Sequence, residues 1–184
     1  HLLGAATTEM GRFYGLPVEA SGIGTDHHVP TIQAGYERAL GGLLLTLSWP
    51  DLLVGPGLLG GSMILSLEQL IIDAEVFRMC QRARQGIAVE DDKWLEEVIN
   101  RVGPGGGFLD ERSTVAGIRG GEWFLPQLGL HDTFEGWEEA GRPTLVDEAR
   151  AQVEQILVTH QPLPLGEDVE RELARIQDRA RAEA

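Results

Sequence analysis

The sequence is poor in positive charge and holds a single cysteine. Lys and Arg number 15 against 29 Asp and Glu, a formal net charge of −14 over 184 residues. A chain this acidic offers no basic face to a phosphate backbone, so nucleic acid is excluded as a partner class. Anionic membrane surfaces are disfavoured for the same reason. Cys80 has no second cysteine to pair with, which excludes an internal disulfide. A reducing, cytoplasmic compartment is the expectation, with Cys80 as a small buried residue of an amphipathic helix rather than a nucleophile. No apolar run approaches the ~20 residues of a membrane span. The chain opens at His1 with neither an initiator Met nor a basic stretch ahead of an apolar one. No signal peptide is expected, and the chain reads as a piece of a longer protein.

Motifs of common chemistries are missing as well. There is no H-x3-H or C-x2-C spacing for zinc. No G-x-G-x-x-G follows a strand, and no P-loop lysine is present. No G-x-S-x-G elbow occurs. Asp26, His27 and His28 are metal-ligand types, but adjacent residues point apart, so no bound metal is expected. Arg119 and Glu122, three apart, read as a surface ion pair.

Glycine is abundant, at 24 residues, and clustered. The stretch Ser21–Gln33, S-G-I-G-T-D-H-H-V-P-T-I-Q, joins a short apolar run to a helical pattern. A glycine-rich polar loop between strand and helix is where α/β proteins place ligands. A second such loop, Gly55–Ser62, comes after the next apolar run and should lie beside the first. Gln33 and Glu37 stand one helical turn apart and can face one pocket.

Periodicity predicts a helix over 2–14 with Leu2, Leu3, Ala6, Met10 and Phe13 inward. Next come a strand over 17–20 and a helix from Pro30 or Thr31 to Ser48, the latter with Ile32, Tyr36, Ala39, Leu40 and Leu43 on one face. Gly35, Gly41 and Gly42 in that helix suggest close packing against a neighbour. Asp51–Gly55 reads as a strand covered on both faces. Ser66 with Gln69 predicts a capping box opening a helix that Gly86 closes. Its stripe would be Leu67, Leu70, Ile71, Ala74, Val76 and Phe77. Beyond it come a short helix from Asp91 or Asp92 with Trp94, Leu95, Val98, Ile99 and Val102 inward, a glycine turn at 102–109, and an unperiodic stretch at 110–130. A short acidic helix over 132–140, a helix from Thr144 to about Thr159 and a charged final helix over 167–184 complete the chain. Alternation of helix and strand in the first half is the rhythm of βα units. A full (β/α)8 barrel needs ~250 residues, more than this chain has.

Several of these residues fall in an order and spacing that resembles the trimethylamine:corrinoid methyltransferase family, over roughly residues 1–160. They are Gly24-Thr25-Asp26, Pro30, Gln33-Ala34, Glu37, Gly55-Pro56-Gly57, and Ser66-x-Glu68-Gln69 followed by Asp73 and Glu75. Val102-Gly103-Pro104-Gly105-Gly106, Phe108-Leu109, Thr114, Arg119, Glu122, Pro126 and Leu128 continue the series. The resemblance implies an α/β fold: the C-terminal portion of a TIM-type (β/α)8 barrel. Residues 1–88 would be its last β/α units and residues 89–184 a mainly helical extension packed on it. It implies methyl transfer from a small methylated amine to the cobalt of a corrinoid carried by a partner protein, with no metal bound directly. Gly24, Asp26, His27, His28, Gln33, Glu37 and Gly57 are the expected substrate-binding residues; no catalytic residue is assigned. Exposed barrel surface makes a homo-oligomer the expectation.

Founding members of that family carry pyrrolysine, which this chain lacks; its counterpart is sought in Ser21–Asp26, with Gly24 as the candidate. Members without it resemble quaternary-amine demethylases, such as those for glycine betaine. Many relatives have His before the threonine matched by Thr114, where this chain has Ser113. Trp49, Tyr36, Trp123 and Phe124 are candidates to face the substrate cation. The alternatives are an amine-binding relative without chemistry and an inert piece of the barrel enzyme.

Overall fold

In the computed structural model, which describes residues 1–183, a helix α1 (Leu2–Phe13) leads to a three-residue strand β1 (Glu19–Ser21). The longer helix α2 (Ile32–Ser48) carries the chain to β2 (Leu52–Val54). β1 and β2 pair in parallel, Glu19 opposite Leu52 and Ser21 opposite Val54. A parallel pair needs a crossover, and α2 supplies it. The expected α/β character is thus present as one βαβ unit in a mostly helical chain.

The loop expected after β2 contains a small antiparallel hairpin, β3 (Leu58–Leu59) with β4 (Ile64–Leu65). Helix α3 (Leu67–Gln85) comes next. A 3-10 turn at Asp91–Lys93 and α4 (Glu96–Val102) replace the single short helix expected there. The stretch 110–130, read as unperiodic, holds a helix α5 (Arg112–Arg119). Then come α6 (Phe134–Glu139), α7 (Leu145–Thr159) and α8 (Glu167–Glu183). The chain forms two compact units, His1–Val153 and Glu154–Ala184. Among the described residues no helix is long and apolar enough to cross a membrane.

The helix starts obey local chemistry. Thr31 accepts from the Ala34 amide at 3.4 Å, and Thr133 from the Gly136 amide at 3.1 Å. At α7 the capping box closes in both directions: Thr144 accepts from the Asp147 amide at 3.3 Å, and Asp147 accepts from the Thr144 amide at 2.9 Å. At α3 only half of the expected box forms. Ser66 accepts from the Gln69 amide at 3.1 Å. The Gln69 side chain instead donates to Asp73 at 2.8 Å, and the Ser66 amide donates to Gly57.

The helix faces differ most from the sequence reading. Leu2, Leu3, Met10 and Phe13 on α1 are exposed, and Thr8 is the buried residue of that helix. On α2, Ile32 is 90% exposed, with Tyr36, Ala39 and Leu40 exposed too. The packed face of α2 is Ala34, Arg38, Gly41, Gly42, Leu45 and Thr46. Small residues win this face because backbones come close. A Cβ on Gly41 would collide with the Gly22 carbonyl, and one on Gly42 would touch Cys80 at 3.5 Å. Cys80 is buried.

On α3, Leu67, Leu70 and Ala74 are exposed, while Gln69, Asp73 and Glu75 are buried beside Ile72 and Cys80. Polar groups can occupy this interior because each finds partners there. Trp94, Leu95 and Ile99, expected inward, are exposed. β2 is open on one side, with Leu52 54% exposed, so the described residues do not cover both of its faces. A satellite core joins α3 to α7 through Ile72, Leu128 and Ala149, with Ile71 and Val146 packed on it. Glu75 fastens the segment before Leu128: it accepts from the Gln127 amide at 3.2 Å and pairs with Arg78.

Candidate functional site

Both glycine-rich loops leave the C-terminal ends of parallel strands, the first after β1 and the second after β2. Parallel strands therefore bring two loops that are far apart in sequence to the same end of the pair. Main-chain bonds join them directly. The Gly60 amide donates to the His27 carbonyl at 2.8 Å, and the Gly61 amide to the Thr25 carbonyl at 3.0 Å.

Between the loops is a cleft of about 400 Å³ lined by Ser21, Gly24, Thr25, Asp26, Glu37 and Gly61, among others. Glu37 rises into it from α2. The Thr25 hydroxyl donates to Oε2 of Glu37, and the Gln33 amide donates to Oε1 at 3.0 Å. Thr25 is itself held, its oxygen accepting from the His27 amide at 3.1 Å. The Thr25 hydrogen bond, and after it the Gln33 one, holds the Glu37 carboxyl below the ordinary glutamate value. The group is a fixed anion that lines the cleft. Such a group stabilises a cation and is a poor proton donor. Asp26 adds a second, exposed carboxylate at the same cleft.

The other expected site residues are placed differently. His27 braces its own loop: Nδ1 lies 3.0 Å from the Val29 carbonyl and 3.2 Å from the Val29 amide. His28 is exposed and faces a second cleft, of about 380 Å³, with Leu59, Ile64 and Arg150. Gln33 acts on the first cleft through Glu37. Gly57 is buried below the second loop, where its amide donates to Asp73 at 2.6 Å. So Gly24, Asp26 and Glu37 meet in one cleft, and His27, His28, Gln33 and Gly57 do not line it. Among the described residues no three His, Cys, Asp or Glu side chains gather as a metal site.

None of the aromatic candidates lines either cleft. The ring of Trp49 is covered by the Arg84 guanidinium of its own chain, 3.3 Å from the centroid. Tyr36 and Trp123 are exposed elsewhere on the surface. Glu122 pairs with Lys93 at 2.6 Å, not with Arg119. Lysine comes closer than arginine here because the turn at Asp91–Lys93 faces Glu122.

A buried charged pair joins α2 to α3; the sequence reading named Asp73 in its matching series and passed over Arg38. Arg38 and Asp73 are fully buried and bonded to each other. Burial pushes Asp73 up and Arg38 down; the Gly57 amide, Gln69 and Arg38 oppose the first shift, and Asp73 and Glu37 oppose the second. A pattern could have shown them. Arg38 sits on the face of Ala34, Gly41 and Leu45, and Gln69 and Asp73 are one turn apart on α3. Charged residues on packed faces at helical spacing signal a partnered interior.

Comparison with known proteins covers the same residues. A family model described as trimethylamine methyltransferase (MTTB) matches residues 1–184. The trimethylamine methyltransferase MttB of Methanosarcina barkeri is 35% identical over 179 residues, 97% of this chain and 36% of the relative. Its namesake from Desulfitobacterium hafniense is 30% identical over 175 residues, 95% of this chain and 35% of the relative. The glycine betaine methyltransferase of Desulfitobacterium hafniense strain Y51 is 28% identical over 170 residues, 92% of this chain and 35% of the relative. The chain thus spans about a third of the length of these relatives.

Proposed function

The chain belongs to the trimethylamine methyltransferase family, and from that premise we propose that it serves the removal of a methyl group from a methylated amine, here a quaternary one. The observation that carries this reading is the pinned anion: Glu37, fixed by Thr25 and Gln33, faces a cleft between two loops at the C-terminal ends of parallel strands. That end of a parallel sheet is where α/β folds bind ligands. We take residues 1–88 as the closing units of a (β/α)8 barrel and residues 89–184 as its helical extension. Apolar side chains left exposed on α1 and α2 support further burial against the rest of such a barrel.

The chemistry asks little of the protein. The N–CH3 bond breaks, the methyl group leaves without its bonding pair, and a neutral tertiary amine remains. A quaternary ammonium already carries a good leaving group, the neutral tertiary amine, so no proton need be delivered. Glu37 and Asp26 bind the cation and orient it, and the loops exclude water from it. Among the described residues no Phe, Tyr or Trp lines the cleft, and carboxylates do this work. A corrinoid on a partner protein supplies the nucleophile for the methyl group. A cleft of about 400 Å³ has room for a small amine. The corrinoid would remain outside, against the exposed edge formed by Asp26, Gly61 and Ser62.

The test is release of a tertiary amine from a panel of quaternary amines, by the full-length gene product with reduced cobalamin. Turnover of at least one amine supports the reading. Binding without turnover leaves an amine-binding relative, and the absence of both binding and turnover overturns the reading.

A further inference from the structure

Glu37 and Arg38 are consecutive on α2, yet their side chains part. Glu37 reaches the cleft, and Arg38 turns inward with no exposed surface. Nη1 of Arg38 donates to the Ile23 carbonyl at 3.1 Å and to Asp73. Nη2 donates to the Leu58 carbonyl. Ile23 immediately precedes Gly24 and Thr25 of the first loop, and Leu58 immediately succeeds Gly57 of the second. One guanidinium therefore joins the roots of both loops. Asp73 extends the link, accepting from the Gly57 amide at 2.6 Å and from Gln69 at 2.8 Å.

We propose that Arg38 is a positioning residue for amine binding: by tying Ile23 to Leu58 it sets the gap in which Glu37, pinned by Thr25, and Asp26 hold the ammonium group. This rests on the cleft being the amine site. The planar fork of a guanidinium directs several donors at fixed angles, which an ammonium cannot reproduce. The Gly60–His27 and Gly61–Thr25 bonds lie on the loops that Arg38 anchors. Loosening the roots loosens those bonds and the Thr25 hydroxyl with them.

The experiment compares Arg38→Lys, Arg38→Met and the double variant Arg38→Met/Asp73→Asn in the full-length gene product. Three quantities are measured: the unfolding midpoint, hydrogen exchange at the Gly60 and Gly61 amides, and the calorimetric Kd for tetramethylammonium. Arg38→Met alone strands a buried carboxylate and should lose stability. The double variant removes that charge and should regain most of it. If Arg38 positions the loops, the double variant still exchanges Gly60 and Gly61 faster and binds about tenfold more weakly. Arg38→Lys should fall between, and it decides the matter should the double variant not fold. Wild-type exchange and Kd in a folded variant overturn the proposal and leave Arg38 as a folding staple. Glu37→Gln in the same assay separates the two readings. If its Kd is unchanged, the amine site lies elsewhere and the binding role of Arg38 falls with it. If Glu37→Gln weakens binding and the Arg38 variants do not, only the Arg38 proposal fails.

Discussion

The Thr25 hydroxyl donates to Oε2 of Glu37, joining a loop residue to a helix residue across the floor of the cleft. Removing the carboxylate is the direct test of its role. Glu37→Gln should weaken tetramethylammonium binding about tenfold, since a neutral amide cannot balance the cation. Its unfolding midpoint should stay close to wild type, because the side chain is only half-buried. Calorimetry and denaturant unfolding on the same samples check both.

Acid should act late on this site. The folded-state pKa of Glu37 is depressed, so its charge persists below the ordinary glutamate value and is lost only as pH falls through the lower folded value. Amine binding should therefore hold through mildly acidic solution and fail below the usual glutamate range. Thr25→Val removes the largest cause of the depression. The loss of binding should then move to higher pH, which a titration of Kd against pH reads directly.

Gly57→Ala should destabilise the fold by about 2 kcal/mol. Gly57 has φ +79°, a region alanine rarely adopts, and its new Cβ would meet Leu65 and Leu70 at 3.1 Å. Loop 55–62 should open first, seen as faster exchange at Gly60 and Gly61 than at α3 amides.

Ser66→Ala should cost about 1 kcal/mol by removing the cap on the Gln69 amide at the start of α3. Amine affinity should respond only weakly, since Asp73 and the Gly57 amide keep their bond. Chemical unfolding measures the first and calorimetry the second.

The local signals in the sequence carry far, and the packing signals do not. Thr31, Ser66 and Thr144 mark helix starts by side-chain chemistry that acts within a few residues, so they read directly. The two glycine loops are legible for the same reason, and the parallel pair brings them together. Periodicity misleads where it assumes that apolar means buried. Ile32 and Tyr36 share an apolar face that stays exposed, while Arg38 takes the packed one. The interior of α2 and α3 is decided by partners distant in sequence: Arg38 with Asp73, 35 residues apart, and Glu75 with Gln127, 52 apart. Helix α5 is amphipathic, but at 8 residues, Arg112–Arg119, it is too short for a reading by period. Trp49 is a sound cation candidate by type, and Arg84 covers it.

Adjacency of Glu37 and Arg38 binds the two jobs of α2 to a single helical phase. Deleting one residue between Thr31 and Glu37 would rotate the remainder of the helix by about 100° relative to its capped start. The carboxylate and the guanidinium would both swing off their targets together. Insertions in this lineage should thus collect in the exposed turns at 86–90 and 160–166, and the seven residues from Thr31 to Glu37 should keep a constant length across any amine preference.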